Sequence, residues 1–346
     1  MLRYNIITKI YSEYKTYVVK IRERGYAMTK IDVSVIVLTY KPVWEKLKMT
    51  LDSIIRQKDV RCEIVITDDG SEMDCREMIE NYLNEKKFTD YIYNKNEHNV
   101  GTIKNYVSGL KKANGRYVYG ISPGDMLYGE DCLKGLYDFC SNNHVNICFG
   151  NAIYYNDNGE KVKVFSDENH PRRPGFYKKD MSYFVMKNMF FNDENILGAS
   201  YFRERKIAIE CFEGISKNSL YLEDKCGTAV AIARKIKIVH FNRNVIWYEK
   251  GTGVSTSGNT AWQERLKKDY CETICDLKKQ YPKDRAIDAV YIRYNCENKL
   301  KRKLLLMIKH PVFIIMDKMR KLVKVRYTDA TDVLQNELEQ CIDVAD

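Results

Sequence analysis

Three short stretches carry side chains that could do chemistry together. Asp68-Asp69-Gly70-Ser71 and Ser122-Pro123-Gly124-Asp125 each put a carboxylate at a turn, and Glu223-Asp224 sets two side by side. A carboxylate in such a place can accept N–H groups from a ligand, help hold a hard divalent cation, or take a proton from a reacting hydroxyl. Each stretch also has a plainer reading. Asp-Gly-Ser and Pro-Gly-Asp are common turn chemistry, and acidic residues at a helix start favour the helix dipole. The surrounding elements have to decide between these readings.

The runs "DVSVIVLTY" (32–40) and "CEIVITDDGS" (62–71) are rich in β-branched residues and read as strands buried in a parallel sheet. Helical periodicity follows each, in "WEKLKMTLDSIIRQ" and over 74–87. "DYIYNKNEHNVG" predicts a third strand running into a loop, "TIKNYVSGLKKANG" a helix closed by Gly115, and "RYVYGISPGD" a fourth strand. This alternation predicts an α/β fold built on an open, mostly parallel sheet flanked by helices. Such sheets bind ligands at the carboxyl ends of their strands, near the switch in strand order. Thr39, Tyr40, Asp68, Asp69, Asn99 and Asp125 all fall at expected strand ends.

The second half is less regular. "HVNICFGNAIYYN" and "IKIVHFNRNVIWYEK" offer strand material, and "SLYLEDKCGTAVAIARK" predicts a helix opening on Glu223 and Asp224. The expected divisions are a helical extension at 1–30 and an α/β domain at 31–257, with halves at 31–128 and 129–257. A basic helical region at 258–327 and an acidic, mobile tail at 328–346 complete the chain.

A net charge of +10 over 346 residues points to an anionic partner. Nucleic acid is disfavoured, because no recognisable binding module accompanies the charge. Eleven scattered cysteines without metal-ligand spacing suggest reduced thiols and a cytoplasmic location. No N-terminal stretch reads as a secretory signal, and no uncharged apolar run is long enough to span a membrane. Residues 298–326 are basic and apolar-striped and break at Pro311. Such a segment either lies on an anionic membrane surface or packs its apolar face on the domain.

Taken in order, "VSVIVLTY", "EIVITDDGS", "NVGTIKN", "ANGRYVYGISPGD" and "YLEDKCGTAVAIARK" resemble glycosyltransferase family 2 over about residues 32–257. The likeness is greatest to the bacterial enzymes that build capsule, O-antigen and similar polysaccharides. The resemblance implies a GT-A fold, in which a nucleotide-binding half joins an acceptor-binding half. It further implies inverting transfer of a sugar from a nucleoside-diphosphate donor to a hydroxyl of a growing, lipid-linked surface glycan.

Residue by residue, the resemblance implies that Asp69, with Asp68 beside it and Thr39 and Tyr40 in support, contacts the base. A carboxylate accepts the N3–H of uracil, which cytosine lacks, and guanine's N1–H stays open. Asn99, Gly101, Lys104 and Asn105 would face the diphosphate near a helix start. Gly124 would let phosphates approach, and Asp125 would hold Mg²⁺ or Mn²⁺ as the last carboxylate of a reduced acidic cluster. Asp224 would be the catalytic base, with Glu223 as its partner. Residues 195–200 would lie near the acceptor, and 251–258 would form a flap. Two other classes compete with this reading. A nucleotidyltransferase would need a glycine-rich, basic loop after the first strand, and "TYKPVWEK" has none. A catalytically silent scaffold is favoured by the reduced acidic cluster and opposed by Asp69 and Glu223-Asp224.

Overall fold

The computed structural model describes residues 31–157, 162–165, 171, 173–180, 183–192, 195–251, 260–322 and 331–343. The extension expected at 1–30 and most of the flap expected at 251–258 lie outside the described residues.

The first half alternates as its periodicity requires: β1 (Val33–Thr39), α1 (Trp44–Ile55), β2 (Cys62–Asp68), α2 (Arg76–Glu85), β3 (Tyr91–Lys95), α3 (Thr102–Lys112) and β4 (Tyr117–Ile121). Strand β1 is parallel to both β2 and β4, and β2 is parallel to β3. Successive side chains of a strand face opposite sides. Val33, Val35 and Val37 accordingly join Leu47, Leu51 and Ile54 of α1 in one core. Ile36 joins Ile103, Tyr106 and Leu110 of α3 in the other. A strand buried on both faces has no polar side, which is why β1 and β2 read as continuous apolar runs.

The remaining strands are β5 (Met126–Leu127), β6 (Ile147–Asp157), β7 (Val162–Phe165), β8 (Tyr201–Glu204) and β9 (Ile238–Glu249). The sheet runs β3-β2-β1-β4-β8-β6-β9-β5, with β7 paired to β6. Here β8 is antiparallel to both β4 and β6, β9 is parallel to β6, and β5 is antiparallel to β9. The parallel expectation therefore holds for the first four strands, and the continuation is mixed. Order reverses between β1 and β4, so their carboxyl ends frame the crevice where such sheets bind ligands.

Helices α4 (Cys132–Asn143), α5 (Tyr183–Phe191), α6 (Arg205–Glu213) and α7 (Glu223–Ala233) connect these strands. Then come α8 (Thr260–Gln280), α9 (Arg285–Asn295), α10 (Lys299–Lys309) and α11 (Pro311–Lys321). The break expected at Pro311 is a helix start, a position that proline's missing N–H suits. All eleven cysteines are free thiols. Among the described residues no helix is long and apolar enough to cross a membrane.

The tail expected to be mobile is corrected over most of its length. Residues Thr331–Asp343 form α12. Its Leu334 and Leu338, four residues apart and so on one helix face, are buried with Met126, Ile153, Tyr155 and Trp247. The acidic composition hid this apolar pair; of the acids, Glu339 is exposed and Glu337 accepts the Tyr128 hydroxyl. Leu338→Ala should destabilise the chain by about 2–5 kcal/mol, the usual range for emptying a buried leucine site. The check is a lower denaturation midpoint, and an unchanged midpoint would mean that α12 carries no part of the core.

Candidate active site

The edge expected to face the donor is organised by carboxylates that accept backbone N–H groups. Asp68 Oδ1 accepts the Ser71 N–H (3.0 Å) and hydroxyl (2.6 Å). Ser71 Oγ in turn accepts the Lys41 N–H at 2.7 Å, tying the segment after β1 to the turn after β2. Thr39 is buried beneath this edge and Tyr40 stands exposed above it. Asp69 Oδ1 accepts the Val100 N–H (2.9 Å) and the Asn96 amide (3.2 Å), and Oδ2 accepts the Gly101 N–H (3.0 Å). A carboxylate has about four acceptor positions, so these three bonds leave Asp69, itself buried, one acceptor position unused. Gly70 has φ +76°, and a Cβ there would stand 2.5 Å from the His98 carbonyl carbon. Only glycine lets the turn lie this close against the 96–101 loop.

The other residues expected at the diphosphate separate into two kinds. Asn99 is exposed, with its Oδ1 accepting the Gly101 N–H at 3.2 Å, and Lys104 is exposed to solvent. Asn105 is buried and serves the framework. Its amide donates to the Thr67 carbonyl (2.9 Å), and its Oδ1 accepts from Thr67 Oγ1 (2.8 Å) and Asn96 (2.9 Å). It seats α3 on β2 and has little left to offer a ligand.

This edge is joined directly to the second half. The Ile103 N–H donates to the Leu220 carbonyl at 2.9 Å, and a Cβ on Gly101 would stand 2.8 Å from the same oxygen. The N–H groups of Leu220, Tyr221 and Leu222 all point to Asp269 Oδ2, at 3.0, 2.7 and 3.3 Å. Asp269 is fully buried in α8 and ion-paired with Arg265 at 2.9 Å. Sequence reading did not single out this residue, although it holds the approach to the Glu223-Asp224 pair.

Glu223 and Asp224 open α7, both half-buried. Gly198 lies against them: a Cβ there would be 3.1 Å from both Asp224 Cβ and Glu223 Oε1. The 195–200 segment thus reaches the carboxylates through this short helical turn (Gly198–Ser200). Asp224 Oδ1 accepts the Lys225 N–H at 2.5 Å. Burial pushes the Glu223 carboxyl up to about 8, with the neighbouring Asp224 charge adding to it. Burial also raises Asp224, against the pull of the Lys225 N–H, the Lys225 ammonium and Arg203. Arg203 is buried in β8, 3.8 Å from the centre of the Tyr201 ring, and is a second residue that sequence reading missed. Two adjacent carboxyls in one dry site cannot both ionise cheaply. The pair therefore resists losing both protons together, and the carboxylate that does ionise is able to act as a base.

The turn after β4 has a different character. Asp125 is 5% exposed, its Oδ1 accepts the Glu249 N–H at 3.0 Å, and its carbonyl accepts from Thr50 Oγ1 at 2.7 Å. Burial pushes its carboxyl up to about 8, with the charge of Glu249 contributing. Gly124 has φ +98°, and a Cβ there would stand 2.2 Å from Glu249 Oε2. Glu249 is buried too and pairs with Lys46 of α1, Nζ to Oε1 2.5 Å. Mg²⁺ and Mn²⁺ need several accessible oxygen ligands. A buried Asp125 whose Oδ1 already accepts the Glu249 N–H and a lysine-paired Glu249 do not supply them, so the metal contact expected at Asp125 does not fit these residues. Among the described residues no group of three or more His, Cys, Asp or Glu side chains is placed to hold a metal ion.

Comparison with solved structures finds the same fold elsewhere. TarS of S. aureus, residues 1–349 in complex with UDP-GlcNAc, superposes with a TM-score of 0.55 at 16% identity, over 82% of this chain and 81% of that one. The longer TarS structure gives a TM-score of 0.52 at 16% identity, covering 76% of this chain but 43% of that one. The chain therefore spans less than half of the longer TarS chain. No curated protein sequence matches it. Residues 34–203, which hold β1 through Arg203, match the family described as Glycosyl transferase family 2. Just under half of this chain thus matches glycosyltransferase family 2, and its fold is GT-A.

Proposed function

We propose that this glycosyltransferase moves a hexosyl or N-acetylhexosaminyl group from a UDP-sugar to a hydroxyl of a growing bacterial surface polysaccharide, with inversion at the sugar carbon. The carrying observation is the continuous path from Asp69 through Gly101 and Leu220 to Glu223-Asp224. It joins a base-facing carboxylate at one strand end to a proton acceptor across the crevice. Asp69 keeps one acceptor direction for the N3–H of uracil. TarS, whose fold this chain shares, was solved with UDP-GlcNAc bound, which supports a uridine donor. In the reaction Asp224 takes the proton of the acceptor hydroxyl as its oxygen attacks the anomeric carbon from the face opposite the leaving diphosphate. One in-line displacement of this kind inverts the centre.

The acceptor in this proposal is lipid-linked and presented at the cytoplasmic face of the membrane. Support comes from α10 and α11. Leu300, Leu304, Met307 and Ile308 of α10, then Ile315 and Met319 of α11, are more than half exposed. Lys299, Lys301, Arg302, Lys303 and Lys309 lie among the α10 residues. A basic helix with an apolar face in water suits an anionic bilayer surface. Leu306 and Phe313 pack inward, so each helix has one face on the domain and one free for lipid.

Asp224→Asn should lower sugar transfer by about 10²- to 10⁴-fold while leaving UDP affinity in place, the usual cost of removing a general base. An unchanged rate of UDP release would remove Asp224 from the mechanism. The wild-type rate should rise with pH as Asp224 loses its proton, and the midpoint should lie above an ordinary aspartate value because burial raises it. A limb at the ordinary value would contradict the dry site described here. Asp269→Ala frees three N–H groups beside the pair and should lower both rate and stability, by about 1–3 kcal/mol for the stability. For the membrane face, the chain should sediment with phosphatidylglycerol vesicles and not with phosphatidylcholine alone. A Leu304→Glu, Ile308→Glu variant should stay in the supernatant, and sedimentation equal to wild type would exclude this face.

A further inference from the structure

The turn that ends β4 sits where a leaving diphosphate needs its charge offset, yet its own residues cannot hold a cation there. Position 124 is the clearest sign. Its backbone is in the left-handed region, and the space any side chain would need is filled by the Glu249 carboxylate, 2.2 Å from the Cβ position. A carboxylate therefore does stand at this turn, but it is delivered from the end of β9. Lys46 answers it from the first turn of α1, at 2.5 Å. The three elements are fastened to one another. The Gly124 N–H donates to the Lys46 carbonyl (3.2 Å), the Glu249 N–H to Asp125 Oδ1 (3.0 Å), and the Tyr155 hydroxyl to the Gly124 carbonyl.

Accessibility separates the charges in this cluster. The Glu249 side chain is 3% exposed, whereas that of Lys46 is 33% exposed. A ligand arriving at the turn therefore meets the Lys46 side chain before either carboxylate. We propose that Lys46, held in place by Glu249, takes the role of a divalent cation at this strand end, so that the donor's diphosphate binds without metal. An ammonium fixed at one end by an ion pair keeps hydrogen-bond donors for phosphate oxygens. It gives up less rotational freedom on binding than a loose surface lysine does. The inference rests on the donor-site reading given above.

Calorimetric titration of the full chain with UDP, in chelator and in Mn²⁺, tests it. Three forms are compared: wild type, Glu249→Gln, and the double variant Lys46→Met, Glu249→Gln. The double variant removes both charges together, so it does not strand a buried carboxylate without its lysine, and thermal melting checks its fold. Expected is equal wild-type affinity in both conditions, with affinity at least as high in Glu249→Gln and about tenfold or more lower in the double variant. UDP binding that requires Mn²⁺ and is lost in Glu249→Gln would overturn the inference and leave the donor site standing. Unchanged affinity in the folded double variant would also overturn it. No binding of UDP or GDP in either condition would overturn the donor-site reading and this inference with it.

Discussion

Irregular loops bring backbone N–H groups into places that water cannot reach, and each must find an acceptor. In this protein two buried aspartates meet that demand, one for each of two neighbouring loops. Asp69 takes the amides of Val100 and Gly101, and Asp269 takes those of Leu220, Tyr221 and Leu222. The two loops then bond to each other through Ile103 and Leu220. Without this arrangement the donor edge and the Glu223-Asp224 pair would be separate features of a large sheet. With it, they become the two walls of one site.

The same dryness that makes those amides demanding sets the chemistry. Glu223, Asp224 and Asp125 all have carboxyls raised by burial, and the consequences differ. At the head of α7 the raised pair resists double ionisation, which suits a carboxylate that must take up a proton. At the end of β4, Asp125 instead ties the turn to the end of β9 by accepting the Glu249 N–H. A carboxylate expected to meet the ligand is thus part of the scaffold, and Lys46 is the group that the turn presents.

The sequence made the first half of the fold readable because β1, β2 and β4 are buried on both faces and leave unbroken apolar runs. Their strand ends were readable for the same reason, since each run stops at a polar cluster. The environment of Asp125 was not readable. Its burial depends on Glu249 and Lys46, which lie 124 and 79 positions away and look like ordinary charged residues of a strand and a helix. Asp269 was hidden in the same way, inside a lysine-rich helix where an acid suggests only a solvated face. Arg203 stood in a short strand with no periodicity to mark its inward side. In α12 the acids that suggested a free tail belong to a helix whose Leu334 and Leu338 are buried in the core.

The account's central claim is that these walls enclose a single inverting transfer site. Proton NMR of slow UDP-GlcNAc hydrolysis by the wild-type chain tests it most directly, because the first-formed sugar anomer is seen before mutarotation. The α-linked donor should yield UDP and the β-anomer. First appearance of the α-anomer, or no release of UDP from any of a panel of UDP-sugars, would contradict it.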